Sequence, residues 1–160
     1  MIELLIALTI LNIGLLALVA SLNSGVVAIK RASKISTAAT LADTQMELYR
    51  AIKYSAVALD DNATKNLTDA TYRADTVLGG NVNNSVTTTT GCVTMPNYCN
   101  PSRIVLGADR KRYRVDSYVT WSTPTNGRQL KLVTIVIREP ETPFATLSRQ
   151  QSTFDESTGV

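Results

Sequence analysis

Glu3 is the residue whose chemistry most needs a partner. It is the single ionisable side chain in Met1–Ala20 (MIELLIALTILNIGLLALVA). An ionised carboxylate in hydrocarbon costs several kcal/mol unless a countercharge meets it, and a segment that served only as an anchor would have no use for one. The rest of the chain offers little material for catalysis. Histidine is absent, which removes Ser/His and Cys/His nucleophilic pairs and most zinc sites. The carboxylates are scattered without evident pairing. The expectation is a protein that is not an enzyme, with no catalytic residue, metal or cofactor.

The two cysteines stand in Gly91-Cys-Val-Thr-Met-Pro-Asn-Tyr-Cys99. Cys92 and Cys99, close together in a polar loop around Pro96, predict one local disulfide and an oxidising, extracytoplasmic compartment. Such a short ring contributes roughly 2–3 kcal/mol by restricting the unfolded loop. A metal site is the weaker reading, because two thiolates fall short of four ligands. Asn62-Ala-Thr64, Asn66-Leu-Thr68 and Asn83-Asn-Ser85 match N-glycosylation sequons. Thr87, Thr88, Thr89 and Thr90 form a run that reads first as a plain polar surface loop, with O-linked sugars as the alternative.

The charge balance is mild, +3 with a pI near 9.0. Lys30, Arg31 and Lys34 follow the apolar run and suit a membrane-proximal solvated helix. Arg110, Lys111, Arg112 and Arg114 form a basic cluster that could meet phosphate, although strand-end cations on a solvated face are commoner. Nucleic acid is thus a possible but unsupported partner.

These residues must be positioned by elements that 160 residues can build, which is one ordinary domain. Charged residues make up 18% of the chain, low for a soluble globular protein, and the apolar content is concentrated at the start. That run has no basic n-region and exceeds the h-region of a cleaved signal. About twenty residues do span a bilayer, so a plain anchor is a second reading. Beyond it, apolar or small residues recur at Ile35, Ala38, Ala39, Ala42, Met46, Tyr49, Ile52 and Ala56, which is one face of an amphipathic helix. With no proline before Pro96, the simplest account is one helix over residues 2–57, on the order of 80 Å long. Gly14, and the stretch Asn23-Ser24-Gly25, combine poor helix formers. A bend or unwound turn is expected near one of them.

The second half reads as antiparallel sheet. Tyr113, Val115, Val119 and Trp121 alternate with polar residues, which predicts a strand with one buried face. Pro124-Thr-Asn-Gly127 signals a turn, Leu130–Ile137 a second strand, and Arg103–Leu106 a third. The apolar sheet face needs cover, and the Ile35–Ala56 face is the candidate. The expected fold is α+β: a long N-terminal helix, apolar then amphipathic, on a small antiparallel β-sheet head. Residues 1–25 form the apolar, membrane-length helix and 26–58 the amphipathic helix on the head. Residues 59–139 form loop and sheet with one disulfide, and 140–160 a C-terminal tail that packs extended onto a neighbour through Phe144, Leu147 and Phe154, a loose tail being the alternative.

Met1-Ile-Glu-Leu-Leu-Ile-Ala-Leu-Thr-Ile-Leu11 resembles the start of a mature type IV pilin or pseudopilin, in which a glutamate sits in an apolar helix that continues into a soluble head. The likeness covers roughly the first third of the chain. It implies a leader removed by a prepilin peptidase and a methylated new amine. Subunits would wait as single-pass proteins in the cytoplasmic membrane, served there by the pilus assembly machinery. They would then pack with identical subunits into a helical surface filament. Met1 and Glu3 would be the assembly residues, with Glu3 neutralising a neighbour's terminal ammonium. Buried pairs of this kind add specificity more reliably than stability. The family's glutamate stands fifth and this one third, so two residues preceding Met1 are expected. The leading expectation is a major pilin. A minor pilin or a secretion pseudopilin is the alternative, and a membrane-anchored extracytoplasmic binding protein or enzyme a further one.

Overall fold

The computed structural model describes residues 2–89, 99–122, 129–142 and 145–156. Helix α1 is a continuous α-helix over Ile2–Arg50. The chain divides into two compact units, Met1–Ser36 and Thr37–Val160.

In the first unit every residue from 2 to 33 is exposed. An 18-residue window there has a mean hydropathy of 2.5 and none of it is buried, so α1 is long and apolar enough to cross a membrane. The unwound turn expected at Gly14 or Asn23–Gly25 is not present: the helix passes through both. Glycine costs about 1 kcal/mol in a helix interior, which the surrounding leucine and alanine residues absorb. Polar side chains in the apolar run satisfy themselves on the helix. Thr9 Oγ1 donates to the Leu5 and Ile6 carbonyls at 3.0 and 2.7 Å, and Asn12 Nδ2 to the Leu8 carbonyl at 3.0 Å.

In the second unit the last turns of α1 bury Ala38, Ala42, Gln45, Met46 and Tyr49, a stripe with helical spacing. The helix stops at Arg50, seven residues short of the expected end. Lys53 is extended and Tyr54–Ala56 forms a 3-10 turn. Strands β1 (Leu59–Asp60) and β2 (Thr87–Thr88) pair in parallel. Between them lie α2 (Asp61–Asn66), α3 (Ala70–Arg73) and 3-10 turns at Thr76–Leu78 and Val82–Asn84. Each begins on a side-chain cap: Asp60, Asp69, Asp75 and Asn81 accept from Ala63, Tyr72, Val77 and Asn83 N–H groups.

The head sheet is an antiparallel meander, β3 (Ser102–Leu106), β4 (Arg112–Ser122), β5 (Leu130–Arg138) and β6 (Thr146–Phe154), in that order. Val115 lies opposite Ile137 and Val119 opposite Val133. One face presents Tyr113, Val115, Val119, Val133, Ile135 and Ile137 to the α1 stripe. The sequence pattern anticipated that layer. It did not anticipate the other face, where Tyr118 and Val136 pack with Tyr72 and Leu78. Tyr72 and Tyr118 stack with centroids 4.4 Å apart, and Tyr72 Oη donates to the Ser117 carbonyl at 2.7 Å. β4 is therefore covered on both faces, rather than on one as its alternation suggests. Trp121, expected inside, is 48% exposed.

Residues 146–154 are not a tail but strand β6, paired with β5 from Lys131↔Phe154 to Arg138↔Thr146. An edge strand has one ladder to make and here meets the core only near its ends, so Thr-Leu-Ser-Arg-Gln-Gln-Ser carries no alternating apolar signal. Leu147 and Phe154 pack on the core of their own head, where the expected surface was a neighbour; Phe144 lies outside the described residues. Cys99 is buried and disulfide-bonded, while Cys92, the chain's other cysteine, lies outside the described residues.

Gly107 fixes how closely the β3–β4 turn approaches α1. A Cβ there would stand 2.6 Å from Tyr113 Cε2 and 2.7 Å from Thr37 Cγ2. Gly107→Ala is expected to cost about 1–3 kcal/mol, read as a lower urea midpoint of head unfolding. An unchanged midpoint would show that the turn has slack.

Candidate assembly surface

A helix turns about 100° per residue, which brings Glu3, Ala7, Ile10, Gly14, Ala17, Ser21, Gly25 and Ala28 to one side of the first unit. Apart from Glu3 and Ile10 these are small side chains, and all are exposed. Small residues allow close helix approach where no water is present to drive association. Gly14 and Gly25 therefore belong to a smooth seam that begins at Glu3. A Cβ on either glycine would meet nothing within 4 Å, so each leaves room for a second backbone. On the adjoining side Ala20, Ser24 and Ala28 leave a groove of about 640 Å³ bordered by Asn23, Val27 and Arg31. The expected weak points thus lie beside or within surfaces where α1 is thinnest. The spacing of seven between Ala7, Gly14, Ser21 and Ala28 is the sequence signal that reveals the seam. Met1 lies outside the described residues.

The head that carries this helix is locked by an alternating chain of charges. Arg114 Nη1 and Nη2 each donate to Asp69 at 2.8 Å, and its Nε to Asp116 Oδ1 at 2.8 Å. Asp116 also accepts from Ser102 Oγ at 2.6 Å and from Arg138. Arg138 continues to Asp75, which accepts from Arg149 Nη2 at 2.8 Å. Four strands and the segment between β1 and β2 are thus tied through one polar row, buried at its centre and half-exposed at its Asp69 and Arg149 ends. Bidentate guanidinium–carboxylate geometry is the arrangement that offsets the cost of burying such groups. The hydrogen bonds from Arg114 hold the Asp69 carboxyl below the usual carboxylate range. Burial alone would raise Asp75, but the Val77 N–H and the Arg149 and Arg138 charges hold it low as well. Burial pushes the Tyr72 and Tyr118 phenols up. Burial, with the bond to Asp109, pushes Tyr113 up to about 12.

At the other end of the sheet, Lys131 Nζ donates to the Tyr54 carbonyl at 2.7 Å and lies 4.6 Å from the Tyr54 ring centre. This pins the chain leaving α1, and burial lowers the lysine's pKa. Arg114 belongs to the buried row, so the four-residue basic cluster reduces to Arg110, Lys111 and Arg112, all exposed. Thr87 is half-buried and donates to Asp61 Oδ1 at 2.9 Å. Thr88 is half-buried in β2, Thr89 is exposed, and Thr90 lies outside the described residues. Among the described residues no group of three or more histidine, cysteine or acidic side chains could hold a metal ion. The Asp–Arg row went unread in the sequence because its members come from β4, β5, β6 and two loop caps. The recurring aspartates at 60, 69 and 75, each opening a short helical turn, were the available signal.

No family model, no curated protein and no solved structure matches this chain.

Asp116→Ala leaves Arg114 with Asp69, and Arg138 with Asp75, as the remaining carboxylate, and is expected to destabilise the head by about 2–3 kcal/mol, measured by urea unfolding followed through Trp121 emission. A loss below about 1 kcal/mol would mean that the row is not a lock. The pH response has a definite sign. Asp69 and Asp75 have depressed folded values, so their stabilisation is full above about pH 4 and is lost as pH falls through those values. Tyr72, Tyr113 and Tyr118 have raised values, so theirs is full below about pH 10 and is lost above it. The unfolding midpoint should stay level from about pH 5 to 9 and fall on both sides; a midpoint that rises on acidification would contradict this.

Proposed function

We propose that this chain is a structural subunit of a type IV pilus-like filament, packed through its N-terminal helix. The observation that carries the reading is a carboxylate placed at the head of an exposed, membrane-length apolar helix. In a lone membrane anchor that carboxylate is a cost with no return. In a filament the next subunit's terminal ammonium supplies the countercharge, and the pairing sets the axial register between neighbours. The small-residue seam leading away from Glu3 supports the same reading, because it lets another helix lie close along α1. A chain of this design waits as a single-pass membrane protein and is extracted into the filament as its helix exchanges lipid for neighbouring helices. The head stays on the surface, its fold kept whole by the buried charge row.

Glu3→Ala tests the proposal. The variant is expected to insert in the membrane and to keep the head's unfolding midpoint. Filaments in sheared surface material, counted by electron microscopy, should fall at least about tenfold. Wild-type numbers of filaments from the variant would remove the pairing argument. Abundant filaments from the wild type would place the chain as a major rather than a minor subunit.

A further inference from the structure

The head carries opposite charges on its two flanks. The sheet edge at β3 is hydrogen-bonded on one side only, and its outward residues Ile104 and Leu106 are exposed. The turn after it presents Arg110 and Lys111, and β4 opens on Arg112, all exposed; Lys111 lies 3.7 Å from Asp109, so the net balance stays positive. The opposite edge is β6, also paired on one side only. There Gln150 Nε2 donates to Asp43 at 2.6 Å, which places that acidic side of α1 along the β6 edge. Glu47, one turn on, shares this side and pairs with Arg50. Glu141, in the β5–β6 connection, is exposed. That connection and the β3–β4 turn lie at the same end of the meander, because Arg114 pairs with both Ile104 and Arg138.

We infer that the β3 flank of one head docks on the β6 flank of the next, Arg110 and Arg112 meeting Asp43 and Glu141 of a second copy of this chain. The two patches differ, so the contact is heterologous and propagates as an open series instead of closing as a dimer. Opposite charges on the two flanks of the head favour neighbours set side by side and suppress like-to-like encounters. Ile104 and Leu106 supply the apolar centre of the contact. This inference rests on the filament reading and names the head surfaces that would join its subunits.

The test uses the full chain with two charge-reversed variants, R110E/R112E and D43K/E141K, and their combination. Each pair alone should reduce filaments at least about tenfold while the head's unfolding midpoint is kept; the combination, which restores opposite charges across the contact, should recover them. If the wild type itself yields no filaments, the filament reading fails and the inference fails with it. If the wild type and both paired variants assemble alike, the flank contact is overturned while the filament reading stands. Failure of the combination to recover, with folded heads, also overturns the pairing. So does an R110E/R112E variant that assembles normally but loses binding to duplex DNA, which would assign the basic flank to a polyanion.

Discussion

One helix carries two kinds of surface, and that constraint organises the chain. Over its first part α1 is apolar on all sides, which leaves it unsuited to water and suited to hydrocarbon or to other apolar helices. Over its last turns the same helix narrows to a stripe of Ala38, Ala42, Gln45, Met46 and Tyr49 that a β-sheet can cover. Glu3 and the small-residue seam are details written on the first part.

The head solves its own problem by layering. A four-stranded meander is too thin to stand alone, so α1 covers one face and the Asp61–Thr89 segment the other. That second cover is short on apolar residues. It is held by Tyr72 and Leu78 and by a row of carboxylates and guanidinium groups that reach across the sheet. Buried ionic rows of this type stabilise only when every member is paired. Asp116, with three partners, is the central link.

The α1 core face was legible because a period of 3.6 needs few residues to declare itself. So were β4 and β5, where Val and Ile alternate on one face. The inner turns at Asp60, Asp69 and Asp75 were hidden because capping aspartates in an Asn- and Thr-rich stretch look like loop. The strand β6 was hidden because an edge strand with polar sides shows no pattern beyond its length. The continuity of α1 through Gly14 and Asn23–Gly25 reflects a balance in which flanking propensity outweighs local weakness. The seam containing Glu3 was overlooked for a related reason: in a helix apolar all round, size rather than polarity distinguishes one side from another.

The account turns on what lies opposite the Glu3 carboxylate. A helical reconstruction of filaments sheared from the cell surface, at a resolution that shows side chains, measures this directly. The account requires that carboxylate within about 3 Å of the terminal amine of an adjacent subunit, with the small-residue seam against a neighbouring helix. Filaments in which Glu3 faces its own helix or open solvent, with no amine opposite it, would contradict the account.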